Sequence, residues 1–319
     1  MIPRIGVALA AAAMLAATPA STQDRVVRLV VAFPPGGPVD FVARTIADQL
    51  GKELKERVIV DNKPGANGAI AAQNVAQSPP DGTTLWLSSV GAVAINPVLY
   101  DKLAYDMSEF APVSLVVDND ELLVVNSDNP AKDATEFVAN ARKSSQPVAI
   151  ASSGIGSIPH LAMEQLAAAT KANLLHVPYK GAAPAITDVI GGQVAAFFGD
   201  VPGLIGFVKS GKLKALGIAA PKRNPMLPDV RTFSEQGLPG VDTNNWYALF
   251  APAKTPPAMI NALNEAVRRT LATPAVSERL LSSGAVPSAS SPQDLAAVLK
   301  RDTEKWGKLI KAQKITPEG

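Results

Sequence analysis

VVRLVVAFPPGGPVDFVA, residues 26–43, contains a strand, a turn and a helix start in one run. Val26 to Phe33 is a short apolar stretch rich in β-branched residues, the pattern of a buried strand. It stops at Pro34-Pro35-Gly36-Gly37. Val39, Val42, Ile46 and Leu50 then recur at helical spacing, with Pro38 suited to the first helical position and Asp40 in the first turn. Such a turn sets the free N–H groups of a helix start beyond the carboxyl end of a strand, where the helix dipole favours an anion. A tight turn stiffened by prolines, with no ligand, fits this one stretch equally well. The rest of the chain has to decide.

The same unit recurs downstream. Val148 to Ala151 predicts a strand, Ser152-Ser153-Gly154-Ile155-Gly156-Ser157 breaks it, and Ile158, Ala162, Leu166 and Ala169 mark the next helical face. A third instance joins the strand Leu174 to Val177, the break Pro178-Tyr179-Lys180-Gly181 and a helix from Ala183 to Ile190. The strand Ala195 to Phe198 leads through Gly199-Asp200-Val201-Pro202 to a helix at Leu204 to Lys209 and a strand at Ala215 to Ala219. Between the first and second instances lie the strand Val58 to Val60, a turn through Gly68 and a helix from Ala69 to Ala76. The strand Leu85 to Ser89 follows and runs into a small-residue loop through Ala92. Ala111 to Val117 and Glu121 to Asn126 are expected as two strands, followed by a helix from Ala134 to Ser144.

Beyond the connector Pro221 to Pro228, Tyr247 to Phe250 predicts a strand returning to the first half. The helices Pro257 to Leu271, Pro274 to Ser283 and Pro292 to Lys311 then need a sheet to cover. The expectation is a discontinuous first domain, residues 24–122 plus 245–319, with a second domain, residues 123–244, inserted into it. Two open α/β sheets facing each other make a cleft lined by helix starts from both sides.

Composition narrows the function. The chain has 319 residues, a formal net charge of +2 and only 18% charged residues, with no block of Lys and Arg, so nucleic acid is not an expected partner. Met1 to Arg4 is followed by the apolar run Ile5 to Ala17 and by Thr18-Pro19-Ala20. That run is shorter than the roughly 20 apolar residues of a membrane span, so residues 1–20 are expected to be a cleaved secretory signal. Cysteine is absent, which excludes thiol nucleophiles, disulfides, zinc-thiolate sites and lipoprotein acylation. The mature chain is expected free in solution outside the cytoplasm.

No catalytic or metal pattern stands out. Gly154-Ile155-Gly156 is not a dinucleotide fingerprint, because Pro159 occupies the third glycine's place, and no phosphate-binding Gly-Lys-Ser/Thr loop exists. The only histidines, His160 and His176, lack metal-ligand spacing, so neither a metal nor a cofactor is expected. Ser152, Ser153, His160 and Asp200 all fall near strand ends, but no Gly-x-Ser-x-Gly elbow is present and His160 follows Pro159 in a first turn. His176, inside an apolar strand, is expected to be a satisfied core residue.

These residues together resemble a known family. Pro34-Pro35-Gly36-Gly37 with Asp40, Pro64-Gly65-Ala66-Asn67-Gly68, Pro80-Asp81-Gly82 and Ser152-Ser153-Gly154 with Gly156-Ser157 are similar to motifs of the tripartite tricarboxylate transporter substrate-binding proteins, the Bug-type periplasmic receptors. So are His176-Val177-Pro178-Tyr179-Lys180-Gly181, Thr187-Asp188 with Gly191-Gly192-Gln193, Pro228-Asp229-Val230, and Trp246 with Ala251-Pro252. The match spans nearly the whole mature chain in order.

The resemblance implies a two-domain Venus-flytrap fold of the α/β class, each domain a central sheet flanked by helices. It implies capture of a small carboxylate for a membrane permease, by a protein expected to be monomeric. It also implies a carboxylate grip by backbone N–H groups and bridging waters from two loops. Those loops are Phe33, Pro34, Pro35, Gly36, Gly37 and Asp40 on one side, and Ser152, Ser153, Gly154, Gly156 and Ser157 on the other. Tyr179, Lys180, Gly181 and Ala183, then Ser88 and Ser89, and the neighbourhood of Trp246 are expected to line the rest. Arg44 is expected to be structural. Gly199-Asp200 departs from the family's Asp-Asn, which leaves Asp200 as the candidate contact to the far part of a ligand, and Arg231 replaces a usual proline. A sensory receptor presenting its ligand to a membrane kinase shares the same fold, and a secreted serine hydrolase is the third alternative.

Overall fold

The structure, a computed structural model, describes residues 25–317, so the expected signal segment lies outside the described residues. Strand β1 (Val26–Val31) ends at the Pro-Gly turn, and α1 (Pro38–Leu54) starts on Pro38 at its first position, as the spacing predicts. The chain continues through β2 (Arg57–Asn62), α2 (Ala69–Ala76), β3 (Thr84–Ser89) and a helical turn that runs into the short α3 (Asn96–Leu99). Next come β4 (Phe110–Asn126), α4 (Ala134–Lys143), β5 (Val148–Ser152), α5 (Ile158–Thr170) and β6 (Leu174–Pro178). Then α6 (Ala182–Ile190), β7 (Ala196–Asp200), α7 (Val201–Lys209) and β8 (Leu213–Ile218) complete the middle of the chain. It closes with β9 (Asn244–Pro252), α8 (Pro257–Ala272), α9 (Pro274–Ser282), β10 (Val286–Pro287) and α10 (Pro292–Gln313).

The strands order as β2-β1-β3-β9-β4-β7-β5-β6, with β8 and β10 also paired to β4. Strand β4 differs from expectation: the two predicted strands are one continuous strand of 17 residues. Asp118-Asn119-Asp120, whose polarity suggested a break, instead forms the crossing, paired with Trp246, Asn245 and Asn244 of β9. From Glu121 onward the partners change to β7 and β8. One strand thus belongs to two halves of the sheet, and β9 lies beside the point where it passes from one to the other.

Helices cover both faces of each half. In the first half, α1, α8 and α9 bury Val42, Ile46, Leu263, Val267 and Leu280 on one face, while α2, α3 and α10 bury Val75, Leu99, Trp306 and Ile310 on the other. The three closing helices do cover the early strands, though α10 takes the face opposite α8 and α9. In the second half, α4 and α5 pack Phe137, Val138 and Leu166 on one side, with α6 and α7 packing Ile186, Val189 and Leu204 on the other. Every helix start that follows a parallel strand therefore points at the carboxyl edge of its half-sheet.

Candidate functional site

The loop from β1 to α1 is held by its own side chain. Gly36, at φ +81°, donates its N–H to Asp40 Oδ2 at 2.9 Å. Asp40 also accepts from Arg44 Nε at 2.9 Å and from Asn62 Nδ2 at 2.9 Å, and Asn62 reaches on to the Phe33 carbonyl. Burial opposes ionisation of Asp40, but the bonds from Arg44, Gly36 and Asn62 outweigh it and keep the carboxyl below its ordinary range.

The loop from β5 to α5 is built the same way. Gly156, at φ +75°, donates its N–H to His160 Nδ1 at 3.2 Å, again four residues ahead in the first helical turn. Ser157 caps α5 by accepting the His160 N–H, and the Gly154 N–H is directed to Ser152 Oγ at 3.1 Å. The amides of Gly36, Gly154 and Gly156, expected to grip an anion, are thus occupied within their own loops. What α1 and α5 leave free at their starts are first-turn amides, Val39 on one and Ile158 on the other, since Pro38 and Pro159 have no N–H.

These two loops face each other across a cleft with two connected chambers that share Phe33 and Ser153 as a wall. The outer chamber, about 230 Å³, is lined by Phe33, by Ala66 and Asn67, by Tyr100, and by Ser153-Gly154-Ile155 and Tyr179-Lys180 of the other half. The inner chamber is only about 20 Å³, room for one water-sized group. Pro34, Gly37 and Val39 meet Ser157, Ile158 and Ala182 there, with Ser89, Asp200, Asn245 and Tyr247 forming the back. Lys180 and Asp200 are the charged side chains of this lining, one at the mouth and one at the back.

Several expected site residues lie outside that lining. Pro35 and Gly36 sit on the outer side of their loop, and Ser88 is fully buried in β3. Gly181 and Ala183 flank the lining residue Ala182, and Gly181 packs on Pro34 instead. Gly156 wedges against Leu99 and Asn96. Trp246 turns away from the cleft: fully buried, it donates its indole N–H to Asp302 of α10 at 2.7 Å. Strand alternation puts its neighbours Asn245 and Tyr247 on the cleft side in its place. The lining residues that no expectation covered are chiefly Asn67, Tyr100, Val39 and Ile158, while Asn245 and Tyr247 fall within the expected neighbourhood of Trp246.

Ser152 Oγ lies 2.6 Å from His176 Nε2, but this pair is not a nucleophile and its base. The Ser152 side chain is fully buried, no acid reaches His176 among the described residues, and His176 Nδ1 has no partner. The His160 ring stacks on His176 at 3.8 Å. Asp200, the expected acid, is bonded to Asn245. His176 is therefore half-satisfied and partly buried, where a fully bonded core residue was expected.

The comparisons bear on what fills the cleft. The model of the tripartite tricarboxylate transporter family receptor matches residues 42–315. The chain belongs to this receptor family. Protein BugT of Bordetella pertussis is 34% identical over 310 residues, covering 96% of this chain and 95% of that protein. Among solved structures, MatC from Rhodopseudomonas palustris with bound malate superposes with a TM-score of 0.85 at 34% identity, over 90% of this chain and 99% of that one. The R. palustris protein Rpa4515 with adipate gives a TM-score of 0.89 at 31% identity, over 92% and 99%. The periplasmic binding protein BugD superposes with a TM-score of 0.87 at 34% identity, over 92% and 99%, so the chain has the two-domain fold of a solute-binding receptor and is not an enzyme.

Proposed function

We propose that this receptor-family chain captures a small organic carboxylate in the periplasm and delivers it to a tripartite tricarboxylate-type permease. The observation that carries the capture is the convergence of the first turns of α1 and α5, from opposite halves of the sheet, on one cleft. Each start contributes roughly half a positive charge, and each hydrogen bond to an anion contributes about 1.5–3 kcal/mol. Two such starts with Lys180 at the mouth compensate a carboxylate without a buried cation, and a grip of that kind still opens. Malate in one relative and adipate in another are ligands of the same chemical class. Delivery to the permease rests on family membership alone.

The change of partners along β4 at Glu121 supports lobes of residues 24–122 with 245–319 and of residues 123–244. The apolar segment after Arg4 supports export with removal of residues 1–20. The receptor acts as a monomer in this reading.

A carboxylate panel in a melting assay tests the capture: at a hundred times its dissociation constant a ligand stabilises the fold by roughly 2.7 kcal/mol. Gly154→Val, at φ +134° and with a Cβ 3.3 Å from the Tyr179 carbonyl, should abolish that shift. A panel with no effect on the wild-type protein would refute the assignment. Uptake of the same acid by membrane vesicles carrying the permease, with and without the receptor, tests delivery.

A further inference from the structure

Two carboxyl groups stand together at the back of the cleft with no cation beside them. Glu121 of β4 and Asp200 of β7 are directly opposite in antiparallel register, a placement that sets side chains roughly 5 Å apart on one face. One amide serves both: Asn245 Nδ2 donates to Glu121 Oε1 at 3.2 Å and to Asp200 Oδ1 at 2.5 Å. Glu121 is fully buried and its Oε2 has no partner, while Asp200 is 6% exposed and lines the inner chamber.

The surroundings add no positive side chain. On β4 the neighbouring Asp120 contributes further negative charge, and on β9 the Tyr247 phenol is buried beside the pair. On β8, the residue paired with Leu122 is the apolar Ile218. On α1, Asp40 is turned to Gly36, Arg44 and Asn62. On α5, His160 faces His176 and Glu164, on α6 Asp188 accepts from Tyr179, and on α7 Lys209 lies in the last turn. Among the described residues, every ion pair of a Lys, Arg or His is made with another acid.

Two like charges at this spacing in a site with room for about one water cannot both be ionised cheaply. Burial holds both carboxyls above their ordinary range; the neighbouring Asp200 pushes Glu121 up further, while bonds with Glu121, Tyr247 and Asn245 hold Asp200 back. An anion brought to the first turns of α1 and α5 lies against the chamber that Asp200 lines. It adds a further negative charge beside whichever carboxyl of the pair is still ionised. A proton from solvent, bonded to one carboxyl oxygen of the pair, relieves this.

We propose that the Glu121–Asp200 pair is a proton site coupled to ligand capture: the closed, carboxylate-loaded receptor holds one more proton there than the open, empty one. This rests on the carboxylate-receptor reading and deepens it. Coupling is reciprocal, so carboxylate affinity rises as pH falls, by up to about tenfold per pH unit while the pair titrates.

The test is isothermal calorimetry with malate and adipate between about pH 6.5 and pH 8, where both acids are ionised, in buffers of different ionisation enthalpy. The expected result is proton uptake approaching one per acid bound, with affinity rising as pH falls. In Asp200→Asn and Glu121→Gln the uptake should drop toward zero and affinity should become flat with pH. Melting curves check that both variants fold, and if one does not, the other variant and the wild-type proton count still decide. Binding without proton uptake overturns this inference and leaves the carboxylate reading standing. Unchanged uptake in both folded variants overturns it as well, by placing the proton elsewhere. Failure of every carboxylate to bind at any pH overturns both.

Discussion

Gly181 leaves no room above Pro34: a Cβ on Gly181 would lie 2.7 Å from Pro34 Cδ and 3.2 Å from Pro34 Cγ. The two residues belong to opposite halves of the sheet, so the contact bridges the cleft. Gly181→Ala should therefore weaken carboxylate binding about 10- to 100-fold by holding the halves apart, beyond the roughly 1–2 kcal/mol of backbone strain that its φ of +118° imposes. Removing the opposing ring in Gly181→Ala/Pro34→Ala should restore part of the affinity and none of the strain. A double-mutant cycle by calorimetry reads that coupling, and strictly additive losses would show that the contact does not govern closure.

Asn67 makes a second contact of this kind. At φ +44° and ψ +43° it exchanges amide bonds with Asn96, donating to Asn96 Oδ1 at 2.9 Å, and its side chain sits where a Cβ on either Gly91 or Gly156 would strike it. Gly adopts this backbone without strain and Ala only at a cost. Asn67→Gly, which loses the bond to Asn96, should be destabilised by about 1–3 kcal/mol and bind ligand more weakly, and Asn67→Ala should lose about 1–2 kcal/mol more. Equal melting of the two variants would show that the left-handed turn carries no strain.

Much of the fold is legible in residues 26–43, because a short, continuous apolar run gives way to a 3.6-residue period across a Gly-rich break and the same change recurs at 148–169. Asp118-Asn119-Asp120 misleads because local polarity is a surface signal, whereas here the polar run is the crossing between halves and is paired by β9 more than a hundred residues later. The two cleft loops are legible from their glycines, but the donors are not. The pairings of Gly36 with Asp40 and Gly156 with His160, each four residues apart, are a local signal that sequence reasoning had available and passed over. Asn245 and Tyr247 are expected only as the neighbourhood of Trp246, and strand alternation decides that they, not Trp246, face the cleft; Tyr100, at the end of α3, carries no local signal.

His176 predicts a particular acid sensitivity. Burial first, and the His160 ring stacked on it second, push its pKa down to about 3. A ring kept neutral in the fold gains its proton on unfolding. The stability it permits is therefore whole above the usual imidazole range and falls as pH drops from about 6.5 toward 3, by up to about 1.4 kcal/mol per pH unit. His176→Gln, which keeps a polar partner for Ser152 and cannot titrate, should flatten this acid limb in thermal melts between about pH 7 and pH 4. Parallel limbs in the two proteins would assign the acid sensitivity to other groups.

Lys180 is the only positively charged side chain in the lining described, and it is exposed at the mouth of the outer chamber. An exposed ammonium is screened within about 8–10 Å at ordinary salt, so it attracts and orients an incoming anion more than it holds one. Lys180→Ala should lower affinity modestly, about 3- to 10-fold, with most of the loss in the association rate and a weaker dependence on salt. Stopped-flow binding at several salt concentrations separates the two effects. A loss confined to the dissociation rate and indifferent to salt would mean that Lys180 closes over the bound acid and holds it directly, making it part of the grip that the first turns of α1 and α5 otherwise supply.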